Sequence, residues 1–260
     1  MSETIQRAAL ALREAQRTKQ AVEPLTTTFP GLTVEEAYQI QALNLGLRLD
    51  AGERRVGHKI GLTSEAIQAW LKVNEPDFGG LLSGMMVPDG GELSLGKLLQ
   101  PRAEGELVFV LGKPLQGPGV TAAQVLQATE FVLPSIEIID SRVKDWKISL
   151  VDTVADNASS AMCVVGSTPV PVGAWDLRLV GMALRRNGRV VSTGAGAACL
   201  GNPAEAVAWL ANRVSAFGQR LEAGQMILSG ALGPAVEMAV GDFWEVQLGD
   251  EARASFRVVA

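Results

Sequence analysis

The stretch PRAEGELVFV, residues 101–110, joins an apolar segment to two carboxylates. Leu107 to Val110 predict a strand in the protein interior, whereas Glu104 and Glu106 stand two residues apart at its head. Side chains of a strand alternate between its two faces, so both glutamates point the same way. Like charges beside an apolar segment repel each other, and burial increases the cost. A positive partner would resolve this conflict.

A third carboxylate lies in FVLPSIEIID, residues 131–140, where two isoleucines flank Glu137. Each glutamate alone is typical of an ordinary exposed strand position, but three on apolar strands favour a divalent ion. Mg²⁺ and Mn²⁺ prefer oxygen ligands, and coordination turns the repulsion into attraction. We therefore predict that Glu104, Glu106 and Glu137 bind one Mg²⁺ or Mn²⁺ ion, with the remaining positions open to water or a chelating substrate.

Composition excludes several classes of protein. The chain has 260 residues, of which 47% are hydrophobic and 20% charged, and its net charge is −5. An acidic chain is a poor candidate for nucleic-acid binding. It has no apolar run of the roughly 18 residues that a membrane span needs, and its amphipathic start does not resemble a secretory signal. We expect a cytoplasmic globular protein without a membrane or nucleic-acid partner.

Cysteine and histidine are too scarce for several kinds of site. Only Cys163, Cys199 and His58 are present, widely spaced. Free buried thiols are the simplest interpretation of the two cysteines, and a structural zinc site is improbable. The glycines of STGAGAACLG, residues 192–201, lack the third glycine and the βαβ context of a dinucleotide site.

The periodicity of the chain predicts an α+β fold. Helical spacing covers about residues 3–19, and Thr33 with Glu36 forms a capping box that opens a second helix. From about residue 80 strands predominate, with a tight Asn187-Gly188 turn and two helices, one over 121–130 and one from Asn202 to near residue 218. We expect a mainly helical region, 1–75, that contributes the segment GHKIGLTS, and a mixed-β body, 76–260.

Two further clusters carry candidate functional groups. Lys59 lies on the strand of GHKIGLTS, near a helix start, and Asp77 lies in the turn EPDFGG. A lysine that points inward needs a negative partner, although a snorkelling lysine and a turn-forming aspartate are the simpler alternatives. His58 would face the opposite side of the strand and is expected to be non-catalytic. The polar residues of 140–160 either reach a ligand or bond their own backbone.

These segments together resemble a known family. The resemblance is to the 2-oxopent-4-enoate hydratases of the fumarylacetoacetate hydrolase superfamily, and it runs from about residue 20 to the end. The segments that carry it are GHKIGLTS (57–64), EPDFGGLL (75–82), QPRAEGELVFVLG (100–112), PSIEIIDSR (134–142), DWKISLVDTVADNASS (145–160), STGAGAACLGNPAEAVAWLAN (192–212) and ILSGALGP (227–234).

The resemblance implies a fold and a set of site residues. The expected body is a mixed, rolled β-sheet like that of fumarylacetoacetate hydrolase. It implies a divalent ion held by Glu104, Glu106 and Glu137, with Lys59 and Asp77 as the catalytic pair. The candidate substrate-binding residues in the same motifs are Thr63, Phe78, Ser159 and Leu232.

The resemblance also implies an activity, a metal-dependent hydro-lyase that converts 2-hydroxypenta-2,4-dienoate to 4-hydroxy-2-oxopentanoate in the meta-cleavage degradation of aromatic compounds. Longer 2-hydroxydienoates (a hexadienoate or a hept-3-ene-dioate) and 4-oxalocrotonate decarboxylation stay open as alternatives. A different class would be a catalytically silent metal-binding subunit, which would not need Lys59 and Asp77. The expected partners are further copies of the chain, with association to a 4-oxalocrotonate decarboxylase as another option.

The implied chemistry assigns tasks to these groups. The enol and carboxylate oxygens of the dienoate would chelate the ion, which acts as a Lewis acid. Protonation at C5, addition of water at C4 and protonation at C3 would complete the reaction. Lys59 would anchor the carboxylate or move a proton with a depressed pKa, and Asp77 would be the base, although these two roles could be exchanged.

Overall fold

Helices predominate in the first fifty residues, and strands predominate from residue 55 onward. The computed structural model describes residues 2–260, apart from the side chains of residues 70 and 71. The helices are α1 (Glu3–Thr18), α2 (Leu25–Thr28), α3 (Val34–Asp50), α4 (Glu65–Leu71), α5 (Ala122–Ala128), α6 (Leu150–Ala155) and α7 (Pro203–Ser215). The strands are β1 (Arg55–Gly61), β2 (Asp77–Leu82), β3 (Met86–Val87), β4 (Gly91–Ser94), β5 (Arg102–Leu111), β6 (Thr129–Ile139), β7 (Ser160–Val165), β8 (Gly181–Arg186), β9 (Arg189–Ala195), β10 (Met226–Ala231), β11 (Val236–Glu237), β12 (Phe243–Leu248) and β13 (Ala252–Val259).

Side-chain caps define the ends of the N-terminal helices. Ser2 accepts a hydrogen bond from the backbone N–H of Ile5 at the start of α1. At the start of α3, the Thr33 hydroxyl accepts from the N–H of Glu36, whose carboxylate accepts from the N–H of Thr33. These caps satisfy N–H groups that have no partner within the helix. Both predicted helices are confirmed. No helix in residues 2–260 is long and apolar enough to cross a membrane.

The large sheet has eight strands and forms the centre of the body. Its order is β2-β1-β10-β5-β6-β7-β3, with β11 paired to β5. The central antiparallel pair, β5 with β6, runs from Arg102 opposite Ile139 to Leu111 opposite Thr129. Leu107 and Phe109 of β5 are fully buried, as their apolar neighbours predicted. β1 lies between β2 and β10, and it runs parallel to β10.

A second, five-stranded sheet packs on the first. Its order is β4-β13-β12-β8-β9, and Trp244 and Phe256 on its strands are fully buried. The β8–β9 hairpin turns at Asn187 and Gly188, which both have positive φ angles, 53° and 79°. A two-residue turn with this geometry matches the twist of the strands. The predicted α+β fold, a mixed-β body with a small helical N-terminal part, is confirmed.

One helix is shorter than the sequence predicted. The helix expected over 121–130 ends at Ala128, and residues 129–139 form β6. The carbonyl of Ala128 accepts hydrogen bonds from Gly112 and Lys113, which draws the following residues into pairing with β5. Long-range pairing thus overrides local helical preference here. The division of the chain at residue 75 stays a prediction.

Candidate active site

A cavity of about 590 Å³ opens over the face of β5 that carries Glu104 and Glu106. The ends of β1, β2 and β10 and the segment after α6 complete its walls. Of the residues predicted from the sequence, seven line this cavity: Lys59, Thr63, Asp77, Glu104, Glu106, Ser159 and Leu232. Residues from five separate segments of the chain therefore meet in one place.

Three carboxylates converge at the inner end of the cavity, where Glu104 and Glu106 line it and Glu137 is buried beside them, outside the lining. Alternation along β5 puts Glu104 and Glu106 on one face, and the antiparallel register puts Glu137 of β6 opposite Glu104. One oxygen from each of the three lies within 4.8 Å of the others. Glu106 and Glu137 are buried and Glu104 is half-buried. The arrangement gives three oxygen donors that face a common point.

Burial and mutual repulsion act on these carboxylates. Burial, with the charge of Glu137 second, raises the pKa of Glu104 to about 7. The same two causes raise the pKa of Glu106 well above its ordinary value, although its Oε2 accepts a hydrogen bond from the Gly230 N–H at 2.9 Å. The cluster is therefore destabilised by its own charge unless a cation joins it.

The donor set fits a hard divalent cation. Both carboxylate oxygens of Glu137 are buried and have no hydrogen-bond partner among the described residues. Buried polar atoms without partners are rare, and a metal ion is one way to satisfy them. Three carboxylates suit Mg²⁺ or Mn²⁺ rather than a metal that prefers sulfur or imidazole.

Lys59 of β1 reaches the same cluster from the side. Its ammonium donates to the carbonyl of Ala158 at 2.9 Å and lies 3.4 Å from Oε2 of Glu137. Burial acts to lower the pKa of Lys59, but the surrounding carboxylates, Glu137 first, outweigh it and raise that pKa above its ordinary value. The expectation of a depressed lysine pKa is therefore wrong, because four carboxylates face one ammonium. The carboxyl groups around Lys59 therefore favour its ammonium form.

Asp77, the first residue of β2, lies beside Lys59. Its Oδ2 accepts a hydrogen bond from the Thr153 hydroxyl at 3.2 Å, whereas its buried Oδ1 has no partner. Burial raises the pKa of Asp77, opposed mainly by the charge of Lys59. A Cβ added at Gly61 would overlap Oδ1 of Asp77 and come within 3.1 Å of Nζ of Lys59. Glycine at position 61 is what allows the two groups to approach.

A left-handed turn after α6 forms another wall. Asn157, Ala158 and Ser159 have consecutive φ angles of 58°, 52° and 54°, a conformation that non-glycine residues rarely adopt. The Asn157 side chain accepts from the N–H of Gly80 at 2.8 Å and donates to its carbonyl at 3.0 Å, which ties the turn to β2. The turn presents the Ala158 carbonyl to Lys59 and Ser159 to the cavity.

Other polar residues of 140–160 are structural. Asp156 forms a buried ion pair with Arg142, and Asp152 accepts hydrogen bonds from Ser149 and Thr26 near the start of α6. Neither aspartate lines the cavity. Thr153 was not predicted from the sequence, because a threonine inside a short helix has no distinctive pattern. Its contact with Asp77 depends on how α6 packs against β2.

Phe78 and His58 face away from the cavity. Phe78 follows Asp77 on β2, so its side chain takes the opposite face, where it stacks on Tyr38 with ring centroids 4.6 Å apart. Phe78 therefore lies among core side chains and is absent from the described cavity lining, unlike the other predicted substrate-binding residues. His58 is buried beside the ring of Phe78 and away from Lys59, as strand alternation predicted.

Apolar side chains and one arginine form the outer end of the cavity. Arg102 precedes Glu104 by two residues on the same face of β5, and its guanidinium lies 4.8 Å from the centre of the Trp146 ring. Ile139 and Ile148 complete this end. Arg102 also lies 3.6 Å from Glu237, a largely exposed side chain, so this ion pair contributes little. Neither Arg102 nor Trp146 was predicted from the sequence as a cavity residue.

Comparison with known proteins yields a family match and close relatives. The family model for the fumarylacetoacetate (FAA) hydrolase C-terminal region matches residues 63–259. A 2-keto-4-pentenoate hydratase of Paraburkholderia xenovorans (strain LB400) is 50% identical over 241 residues, which cover 93% of this chain and 90% of the relative. A 2-hydroxyhexa-2,4-dienoate hydratase of Comamonas testosteroni is 49% identical over 237 residues, 90% of each protein.

Solved structures have the same fold. The 4-oxalocrotonate decarboxylase from Pseudomonas putida G7, complexed with magnesium and adipate, superposes with a TM-score of 0.95 at 36% identity and covers 100% of this chain and 98% of its own. Fumarylpyruvate hydrolase from Pseudomonas aeruginosa, in complex with Mn²⁺ and pyruvate, has a TM-score of 0.65 at 16% identity. The match covers 79% of this chain and 89% of the other. At this level of identity the likeness concerns the fold and not the function.

Proposed function

This chain belongs to the fumarylacetoacetate hydrolase family, and from that premise we propose that it is a metal-dependent hydratase that converts 2-hydroxypenta-2,4-dienoate to 4-hydroxy-2-oxopentanoate. The observation that carries this proposal is the meeting of three carboxylates with a lysine–aspartate pair at one cavity, where Glu137 is buried beside the glutamates of the lining. The relatives at about half identity are hydro-lyases by name, of the kind that act in meta-cleavage degradation of aromatic compounds.

Glu104, Glu106 and Glu137 would hold the metal ion. Three facing oxygen donors, and the lack of a hydrogen-bond partner for either oxygen of Glu137, support Mg²⁺ or Mn²⁺. The structures of 4-oxalocrotonate decarboxylase contain magnesium or calcium. When bound, the ion supplies Lewis-acid stabilisation of negative charge on the enol oxygen of the substrate. The three glutamates would lower the net charge that the ion brings into the cavity.

Lys59 and Asp77 would divide the remaining work. Because the pKa of Lys59 is raised, its ammonium is suited to hold the substrate carboxylate rather than to release a proton. Because Oδ1 of Asp77 is unpartnered and its pKa is raised, Asp77 is suited to take a proton from water as the oxygen–C4 bond forms. The protonated carboxyl could then return that proton to a carbon of the substrate.

The outer end of the cavity would hold the substrate tail. A volume of about 590 Å³ exceeds the needs of a five-carbon acid, so a longer 2-hydroxydienoate is a second candidate substrate. The hexadienoate hydratase at 49% identity supports it. Decarboxylation of 4-oxalocrotonate has weaker support, since that structural relative is 36% identical. Asp77 would repel a second carboxylate placed close to it.

The test compares substrates side by side. The protein is given Mg²⁺ or Mn²⁺ with 2-hydroxypenta-2,4-dienoate, its hexadienoate homologue, or 4-oxalocrotonate. We expect the pentadienoate to lose its ultraviolet absorbance and yield 4-hydroxy-2-oxopentanoate by mass, with little CO₂ from 4-oxalocrotonate. Rapid CO₂ release with an accumulating dienoate would place the chain among the decarboxylases. Faster turnover of the hexadienoate would favour the longer tail.

Self-association is also proposed. Leu179, Val190 and Val240 are 73%, 52% and 59% exposed, so they leave apolar surface in contact with water. Burial between copies of the chain would remove that contact, and light scattering after gel filtration would report the assembly mass. Association with a 4-oxalocrotonate decarboxylase and a cytoplasmic location stay predictions.

A further inference from the structure

The Thr153 hydroxyl connects two side chains of the cavity wall. It is buried, lies 3.2 Å from Oδ2 of Asp77 and lies 3.3 Å from the hydroxyl oxygen of Ser159. A hydroxyl carries a single proton, and an ionised carboxylate can only accept. With Asp77 ionised, one arrangement satisfies all three groups: Ser159 donates to Thr153, and Thr153 donates to Asp77.

This contact makes the two oxygens of Asp77 unequal. Oδ2 is held by Thr153, whereas Oδ1 is buried without a partner and lies over Gly61, near Nζ of Lys59. We propose that Thr153 is a positioning residue that holds Asp77 by Oδ2, so that Oδ1 is the oxygen that exchanges a proton with the substrate or water. The proposal rests on the proposed function, in which Asp77 moves that proton.

The scaffold around Thr153 fixes this geometry. The Gln41 side-chain amide donates to the carbonyls of Phe78 and Val154, both at 2.9 Å. These carbonyls belong to the residues that directly follow Asp77 and Thr153, so one buried amide sets the spacing between β2 and α6. At the start of α6, Asp152 is anchored by Ser149 and Thr26. A carboxylate held on rigid elements loses little freedom in the reaction.

Three variants, compared as two pairs (wild type with Thr153→Val, and Thr153→Ser with Thr153→Ala), isolate the effect of the hydroxyl group. Thr153→Val keeps the shape of the side chain and removes the donor, while Thr153→Ser and Thr153→Ala differ from each other only by a hydroxyl group. We expect kcat to fall at least about tenfold in the valine and alanine variants and to recover in the serine variant. KM should change by less than about threefold, because Lys59 and the three glutamates are untouched.

Two measurements separate positioning from a general structural role. Mg²⁺ affinity, measured by calorimetry, should match the wild type in all Thr153 variants. Thr129→Val serves as the control, because Thr129 is a buried threonine outside the cavity lining whose hydroxyl donates to the Val125 carbonyl at 2.8 Å. Its kcat should stay at the wild-type value.

The outcomes distinguish this inference from the proposed function. Equal kcat values in the serine and alanine variants, or a loss that appears in KM alone, would overturn the role of Thr153 while leaving the hydratase intact. If the valine variant does not fold, the serine–alanine comparison decides. A wild-type protein that does not hydrate the dienoates, or an Asp77→Asn variant with full activity, would instead overturn the proposed function on which the inference rests.

Discussion

The ammonium of Lys59 lies 3.4 Å from Oε2 of Glu137, and both side chains are buried. Glu137 is also one of the three carboxylates that face a common point. The same carboxylate therefore faces both the lysine and the predicted metal site, and each positive charge would offset part of the cost of burying Glu137. Loss of either partner would leave Glu137 less well satisfied, so metal binding and the position of Lys59 are coupled.

Glu106→Gln should weaken metal binding and remove most activity. The glutamine oxygen can still accept from the Gly230 N–H, so the strand should be retained while one ligand charge is lost. We expect the dissociation constant for Mg²⁺ or Mn²⁺ to rise more than about tenfold, since even changes to outer ligand partners have effects of that size. Calorimetry measures it, with Glu92→Gln as control, because Glu92 is exposed on the second sheet. Unchanged affinity in Glu106→Gln would reject the ligand assignment.

Lys59→Met should lose activity, whereas His58→Gln should not. Lys59 lines the cavity, and His58 faces the aromatic side chains on the other side of β1. We expect kcat to fall at least about tenfold in Lys59→Met, roughly 1.4 kcal/mol in transition-state stabilisation. His58→Gln should keep a kcat near the wild type. Steady-state kinetics on the dienoate checks both, and the reverse ranking would contradict both role assignments.

Gly61→Ala should remove activity without loss of metal binding. The new methyl group would displace the Asp77 carboxylate from Lys59, and a displacement of about 1 Å can reduce the rate about a hundredfold. Gly46→Ala is the matched control, because a Cβ at Gly46 inside α3 would meet no atom within 4 Å apart from the backbone of its own helix. It should be fully active and more stable by about 1 kcal/mol or less. Full activity of Gly61→Ala would show that the approach of Asp77 and Lys59 is dispensable.

The stability of the protein should fall in acid partly through His58. Burial, then the charge of Arg55, lowers the pKa of His58 to about 3, against about 6.5 in an unfolded chain. Between about pH 3 and pH 6.5 the unfolded state binds one more proton than the native state. The contribution of neutral His58 to the free energy of unfolding is therefore complete above about pH 6.5 and is lost as the pH falls toward about 3.

The measurement is the free energy of unfolding in denaturant between about pH 4.5 and 7.5 for wild type and His58→Gln. The wild type should lose up to about 1.4 kcal/mol more per unit of acidification than the variant. A constant difference between them could reflect packing, which is why the slope is the relevant quantity. Parallel curves would mean that His58 has nearly the same pKa in the native state as in the unfolded chain.

Strand alternation made much of the site predictable. The spacing of Glu104 and Glu106 was sufficient to place both on one face of β5, and the adjacency of His58 and Lys59 was sufficient to separate them. The same rule, applied to Asp77 and its neighbour, would have placed Phe78 away from the cavity. Phe78 was selected because it belongs to a family motif, and motif membership does not specify the direction of a side chain.

The amino-acid sequence by itself determined the local features of this protein: helix caps, strand alternation, the hairpin turn and the types of side chain that can bind a hard cation. These features depend on residues within a few positions of one another. Only the tertiary structure decided that Glu137 lies opposite Glu104, that Thr153 holds Asp77, and that Arg102 with Trp146 closes the outer end. Those contacts join elements far apart in the chain, and their geometry follows from strand register and helix packing, which are set by burial of the whole core.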